Sequence, residues 1–234
     1  MKENYSHAEL QKLAKERLWP SLTNPSYLVQ RRRRQILQKW IGTIPGTRLS
    51  VLDIGGRYQP YRPLFGGRVA NYVALDVLPT RLVSVVGDGQ KLPFKSESFD
   101  MVIATGVFEY FAEPRRAAEE VHRVLKTGGH LMLSVASIYP RVVDDEHWRF
   151  LPAGLKFVLA PFARVTIVPE VASVGGFFRM MATSIIIFAK YDSLREFFRY
   201  TAIPLMNLAG LALDRNSISN NDQIAGNYCA LAEK

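Results

Sequence analysis

Three short apolar runs, VLD, YVALD and VVGD, each close on an aspartate: Asp53, Asp76 and Asp88. Runs so short, and apolar on both faces, suit strands of a parallel sheet buried between helices. The runs at 50–54, 71–75, 81–86, 99–104 and 130–135 are each bounded by Gly, Pro, Asp or Ser. Between the last two lies EPRRAAEEVHRVLKTGG, which reads as the crossover helix of a right-handed βαβ unit. Pro114 stands near its first turn, Ala117, Ala118, Val121, Val124 and Leu125 form one apolar face, and Gly128 with Gly129 supplies the stop. The pattern predicts an α/β fold.

In an open α/β sheet, ligands bind outside the carboxyl ends of the strands, so the three aspartates converge on one crevice. Asp76 closes its run 23 positions after Asp53 and can accept hydrogen bonds from both hydroxyls of a ribose. Gly55 and Gly56 let the backbone approach a ligand where a side chain would fill the space. Asp88 can receive an exocyclic amine such as that of adenine. Any one of these aspartates could instead cap a helix or hold a turn. Their order, together with the glycine pair, points to a nucleoside site.

From Leu49 to Ser137 the chain reads VLDIGG, then YVALD, then GDGQKLPFKSESFDMVIATGVFEYF, then EEVHRVLKTGGHLMLSV. This ordered set resembles the class I S-adenosylmethionine-dependent methyltransferases, most closely their broad type 11 small-molecule branch. The resemblance implies a Rossmann-like, seven-stranded, mostly parallel sheet with helices on both faces and an antiparallel last strand. ARVTIVPE and NYCALAE would supply the closing pair. It implies S-adenosyl-L-methionine as cofactor, with Asp53, Gly55 and Gly56 near the methionine part and Asp76 and Val77 at the ribose. Asp88 and Gly89 would meet the adenine, and Thr105 and Gly106, with Val107, would border the sulfonium. Glu109 occupies the place of the glutamate in the family's Leu-Glu-His run and is assigned to the acceptor. Arg57 and Gln59 stand where the family usually carries two further glycines. PYRPLF and DDEHWRFLPAGL resemble methyltransferase-like proteins of glycan and secondary-metabolite pathways, which implies a small-molecule or glycan-type acceptor.

Methyl transfer from a sulfonium is an in-line displacement whose catalysis is mainly alignment of the two reactants. An acceptor hydroxyl needs a base, and His147, in the polar loop DDEHWRF, is the candidate; a surface histidine in a charged loop is the competing reading. Trp148 and Arg149 would wall or clamp the acceptor, or else pack the loop onto the core. Tyr58, Tyr61 and Arg62 follow the glycine turn directly and are placed near the crevice mouth, where Arg57 or Arg62 would suit a carboxylate or phosphate on the acceptor. The single cysteine and four scattered histidines make no zinc spacing, so no metal is expected.

Two helices are predicted at 7–19 and 26–40, giving an N-terminal helical segment over 1–45 ahead of a binding domain over 46–234. Within that domain a helical insertion at about 177–213 precedes the last strand. The formal charge of +9 is concentrated in residues 1–40, which hold +6 of it. Arg31 to Arg34 are consecutive, but on a helix they point in different directions and no aromatics interleave them, so a solvated face or contact to the sheet edge is expected and nucleic acid is disfavoured. The charged first residues lack an export signal, and the apolar stretches at 180–189 and 200–213 fall short of the roughly 18 to 20 residues a spanning helix needs. A cytoplasmic protein is expected, with 177–213 a candidate for peripheral membrane contact. The alternatives to an enzyme of this kind are a non-catalytic S-adenosylmethionine-binding module and an RNA methyltransferase using the N-terminal arginines.

Overall fold

The computed structural model describes residues 5–141, 143–216 and 221–234. Among them, seven strands form one sheet: β1 (Leu49–Ile54), β2 (Val69–Asp76), β3 (Val85–Val86), β4 (Phe99–Thr105), β5 (Leu125–Ala136), β6 (Arg164–Pro169) and β7 (Asn227–Glu233). Their order is β3-β2-β1-β4-β5-β7-β6, and β7 runs antiparallel to both its neighbours while the other pairs are parallel. This is the Rossmann-like sheet with an antiparallel last strand that the motifs imply.

The chain winds from β1 toward β2 and β3 on one side and toward β4 and β5 on the other, so the switch point lies between β1 and β4. Side chains alternate across the sheet. Leu52, Ile54, Val102, Ala104, Leu131 and Leu133 face α3 (Pro114–Val124) and α4 (Pro152–Val158). Val51, Met101, Ile103, Met132 and Cys229 face α2 (Tyr27–Thr43), which buries Leu37, Trp40 and Ile41 against them. Each fully buried aliphatic side chain there contributes about 2 kcal/mol. The N-terminal helices are thus part of the sheet's covering, with α1 (His7–Leu18) held at its start by a capping box in which Ser6 and Glu9 exchange hydrogen bonds.

Three boundaries differ from the sequence expectation. Helix α3 stops at Val124 rather than at the Gly128-Gly129 pair, because Leu125 already pairs with Phe99 and Lys126 Nζ reaches Asp100 at 2.8 Å. The third strand shrinks to two residues, since Thr80 turns the chain back: its hydroxyl accepts from Leu82 N and its carbonyl from Val83 N. The apolar stretch before β7 forms three helices, α5 (Ser173–Phe188), α6 (Asp192–Tyr200) and α7 (Ala202–Asn216), with α5 packed on α7 and α2. None of the described helices is long and apolar enough to cross a membrane.

Candidate active site

At the carboxyl end of β1 the chain turns through Gly55, at a φ of 77°, and both Gly55 N and Gly56 N donate to Leu75 O, at 2.8 and 3.2 Å. A Cβ on Gly55 would lie 3.1 Å from Val107 Cβ, and one on Gly56 would lie 2.7 Å from Asp53 O. Both glycines are therefore required by the turn itself, before any ligand is considered. Asp53 is buried and accepts a 2.7 Å hydrogen bond from the Tyr72 hydroxyl. Burial pushes its carboxyl up to about 7, the Tyr72 bond opposes the rise, and the nearby Asp76 charge adds to it.

Asp76 closes β2, also buried, and its two oxygens are gripped by one guanidinium: Arg57 Nη2 donates to Oδ1 at 3.1 Å and Arg57 Nε to Oδ2 at 3.2 Å. Leu78 N adds a third bond to Oδ1 at 3.0 Å. Gln59 holds a φ of 48°, a left-handed conformation fixed by its Nε2 bond to Leu82 O, while the Thr80 hydroxyl donates to Arg57 O. Arg57 and Gln59 thus fasten the turn after β1 to the loop after β2. Val77 is exposed beyond them.

Asp88 is exposed and accepts from Gln90 N at 2.9 Å. Gly89 is buried, and a Cβ there would lie 2.5 Å from the Phe111 ring. Thr105 is buried at the end of β4, and Gly106 turns the chain at a φ of 63°. The ends of β1, β2 and β4 therefore carry the expected cofactor residues, with the exposed Asp88 on the loop after β3.

The acceptor candidates separate. Glu109 is buried in the short helical turn Phe108–Tyr110; one carboxylate oxygen accepts from Ala136 N, and the other, Oε2, is buried with no partner. Burial raises its pKa above the ordinary carboxylate range, against the backbone N–H bonds and the charges of Arg33 and Arg149. Its carbonyl accepts from His147 N and Trp148 N, at 2.8 and 3.2 Å, so the loop named from the sequence does dock beside it. His147 itself is exposed. Trp148 donates from Nε1 to Phe111 O at 2.8 Å, and Arg149 is bonded to Tyr139 O, Pro140 O and Glu146, so both hold the loop down. Tyr61 is fully buried in the core below α2, not at the crevice mouth. Tyr58 meets the Tyr5 ring edge-on, and Arg62 bonds Gln59 Oε1 and lies over the Tyr72 ring.

Sequence reasoning missed a polar group on the α2 side. Arg33 Nε and Nη2 donate to Glu170 Oε1 and Oε2, at 2.7 and 3.0 Å, with both side chains buried. Glu170 also accepts from Ser134 Oγ and Cys229 Sγ. Beside this pair, Arg179 of α5 is buried over the Tyr139 ring, its Nη1 donating to Asn227 Oδ1 at 2.6 Å. Arg33, Arg179, Gln30, Glu109, Tyr139 and Gly106 line a common cavity of about 260 Å³. The tetra-arginine run gave no local signal of this, because a partner 137 positions away decides which arginine is buried.

Residues 52–133 match the methyltransferase domain family. Over 137 residues the chain is 27% identical to 2-methyl-6-phytyl-1,4-hydroquinone methyltransferase of Arabidopsis thaliana, covering 53% of this chain and 40% of that one. Over 114 residues it is 32% identical to demethylmenaquinone methyltransferase of Renibacterium salmoninarum, covering 44% of this chain and 47% of that one. The chain spans less than half the length of these curated relatives. Among solved structures, phosphoethanolamine N-methyltransferase 2 of Haemonchus contortus, in complex with S-adenosyl-L-methionine, shares the fold with a TM-score of 0.53 at 12% identity, over 96% of this chain and 60% of that one. The chain is thus similar to methyltransferase domains over residues 52–133, and it shares its fold with the solved structure.

Proposed function

We propose that the chain transfers a methyl group from S-adenosyl-L-methionine to the oxygen of a small-molecule acceptor. The carrying observation is that Asp53 and Asp76 close β1 and β2, and that Gly106, in the turn directly after the neighbouring β4, lines a cavity together with Glu109. The relatives' names, two of them methyltransferases of hydroquinone or quinone type, support a small-molecule acceptor.

The residues fit the cofactor, with one adjustment. Gly55 and Gly56 let the turn after β1 pass close to Val107 and Asp53, and Asp76 stands where a ribose would be held. A carboxylate offers about four lone-pair sites. Three on Asp76 are already used, so two ribose hydroxyls can be accepted only if Arg57 releases at least one bond. The cofactor supplies an electrophilic methyl; the chain's part is alignment and removal of the acceptor proton. Glu109, buried and partly unsatisfied, is the group we assign to that proton, in preference to the exposed His147.

Titration calorimetry with S-adenosylmethionine, on the parent and on Asp76→Ala, tests the cofactor assignment; methyl transfer to a metabolite panel with Glu109→Gln as control tests the chemistry. We further propose that α5 and α6 touch a bilayer surface, supported by the exposure of Phe188 (83%), Phe197 (60%) and Tyr191 (62%) beside Lys190 and Arg199. Sedimentation with anionic vesicles, compared with Phe188→Ser/Phe197→Ser, checks it: equal sedimentation of the two proteins contradicts the contact.

A further inference from the structure

Helix α1 carries an arginine inside its apolar stripe. Leu10, Leu13, Ala14 and Leu18 have the spacing of a helix face packed on the body of the protein, and Arg17 stands among them, directly before Leu18. Lys12, Lys15 and Glu16 are exposed, whereas Arg17 is half-buried. The end of the helix is fixed: Leu18 is buried in one cluster with Tyr61 and Phe65, Leu18 O accepts from Arg34 Nη1 at 3.2 Å, and the Arg34 guanidinium lies 3.6 Å from the centre of the Trp19 ring. An arginine turned inward is ordinarily matched by an acid. Among the described residues no carboxylate lies within ion-pair distance of Arg17.

Arg17 lines the cavity of about 260 Å³ together with Tyr110 and with Gly106, in the turn after β4. Burial raises the pKa of both Asp53 and Tyr110, and the positive charge of Arg17 opposes the rise at each. The guanidinium is thus within electrostatic reach of the end of β1 and of the turn after β4, the two strands that flank the switch point. The other arginines of the cavity lining, Arg33 and Arg179, are buried, Arg33 in its pair with Glu170 and Arg179 against Asn227 and Tyr139. Arg17 is the arginine of this lining that a ligand can reach and that has no anion of its own.

S-adenosyl-L-methionine brings such an anion whatever the acceptor is, in the carboxylate of its methionine part. Neither Asp53 nor Asp76 suits that group, because one carboxylate beside another is disfavoured. We infer that Arg17 receives the carboxylate of the cofactor's methionine part, which makes α1 a component of the cofactor site. This rests on the cofactor reading above and deepens it. The contact comes from outside residues 52–133, the part of the chain that matches the methyltransferase domain. With Asp76 at the ribose and Arg17 at the carboxylate, the sulfonium is held between two fixed ends, the alignment that in-line transfer needs.

The test is calorimetry of the full chain with S-adenosylhomocysteine, with its decarboxylated analogue, and with methylthioadenosine, which lacks the amino-acid part altogether. The parent should bind S-adenosylhomocysteine about tenfold more tightly than the decarboxylated analogue, the effect of one charged hydrogen bond at a half-buried, partly screened site. Arg17→Met should bring those two affinities to within about threefold of each other while methylthioadenosine binds as it does to the parent. Arg17→Lys, which keeps the charge, should retain part of the preference. A parent without the preference, or a preference that survives in Arg17→Met, overturns the inference. Loss of methylthioadenosine binding in both Arg17 variants makes Arg17 a residue of the fold and overturns it too. A parent that binds none of the three ligands overturns instead the cofactor reading on which the inference rests.

Discussion

Arg57 grips Asp76 in a two-bond fork, Nη2 to Oδ1 and Nε to Oδ2, across the turn where the cofactor's ribose would be held. Arg57 thus places a cation against the buried carboxylate of Asp76. Burying Asp76 without that cation would be unfavourable.

Arg57→Gln should therefore lower the melting temperature of the free protein and enlarge the rise produced by saturating S-adenosylhomocysteine, because the ligand no longer competes with an internal ion pair. Differential scanning fluorimetry with and without ligand reads both quantities. An unchanged ligand-induced shift would mean that Arg57 does not compete.

Asp53 makes a pH signature. Its folded pKa, raised to about 7 chiefly by burial, lies above the ordinary carboxylate value. The native state then holds the proton over a range in which the unfolded chain has lost it, so stability falls as pH rises from about 4 to about 7. Asp53→Asn carries no such proton. The melting temperature of Asp53→Asn relative to the parent should climb across that window and level off above it; a difference that does not depend on pH contradicts the assignment.

The buried Arg33–Glu170 pair ties α2 to the segment after β6. Arg33→Met should destabilise by about 3–5 kcal/mol, since it strands a buried carboxylate, and the double variant Arg33→Met/Glu170→Gln should recover part of the loss. Urea unfolding measures both. A single variant within about 0.5 kcal/mol of the parent would show the pair to be dispensable.

Glu109 predicts the shape of the rate profile. As a base it must be ionised, so methyl transfer should rise with pH through a midpoint above the usual glutamate value and then flatten. Glu109→Gln should lower kcat by about a hundredfold or more and remove that limb, whereas His147→Ala should leave it in place. A limb that vanishes with His147→Ala returns the role of base to the histidine.

The sheet was legible because β1, β4 and β5 are apolar on both faces, a local property that survives any tertiary arrangement. Asp53 and Asp76 were legible as residues closing such runs. What each aspartate touches was not: the Arg57 fork depends on how the turn after β1 folds back on β2. Tyr61 was misplaced at the mouth because its neighbours in sequence suggested a loop, while it sits just ahead of the short helix Arg62–Arg68 with its side chain in the core under α2. Arg33 read as part of a run on a solvated face or against the sheet edge, and Arg179 drew no reading, since nothing near them in sequence shows the buried Glu170 or the approach of Gly226, where a Cβ would run into Arg179 Nη1. Long-range polar pairing is invisible to periodicity.

The central claim is that the crevice at Asp76 holds S-adenosylmethionine. Titration calorimetry on the full chain tests it directly: the parent should bind, and Asp76→Ala should bind about ten- to a hundredfold more weakly through loss of the carboxylate that receives the ribose. A parent that does not bind, or an Asp76→Ala variant that binds as tightly as the parent, would contradict it.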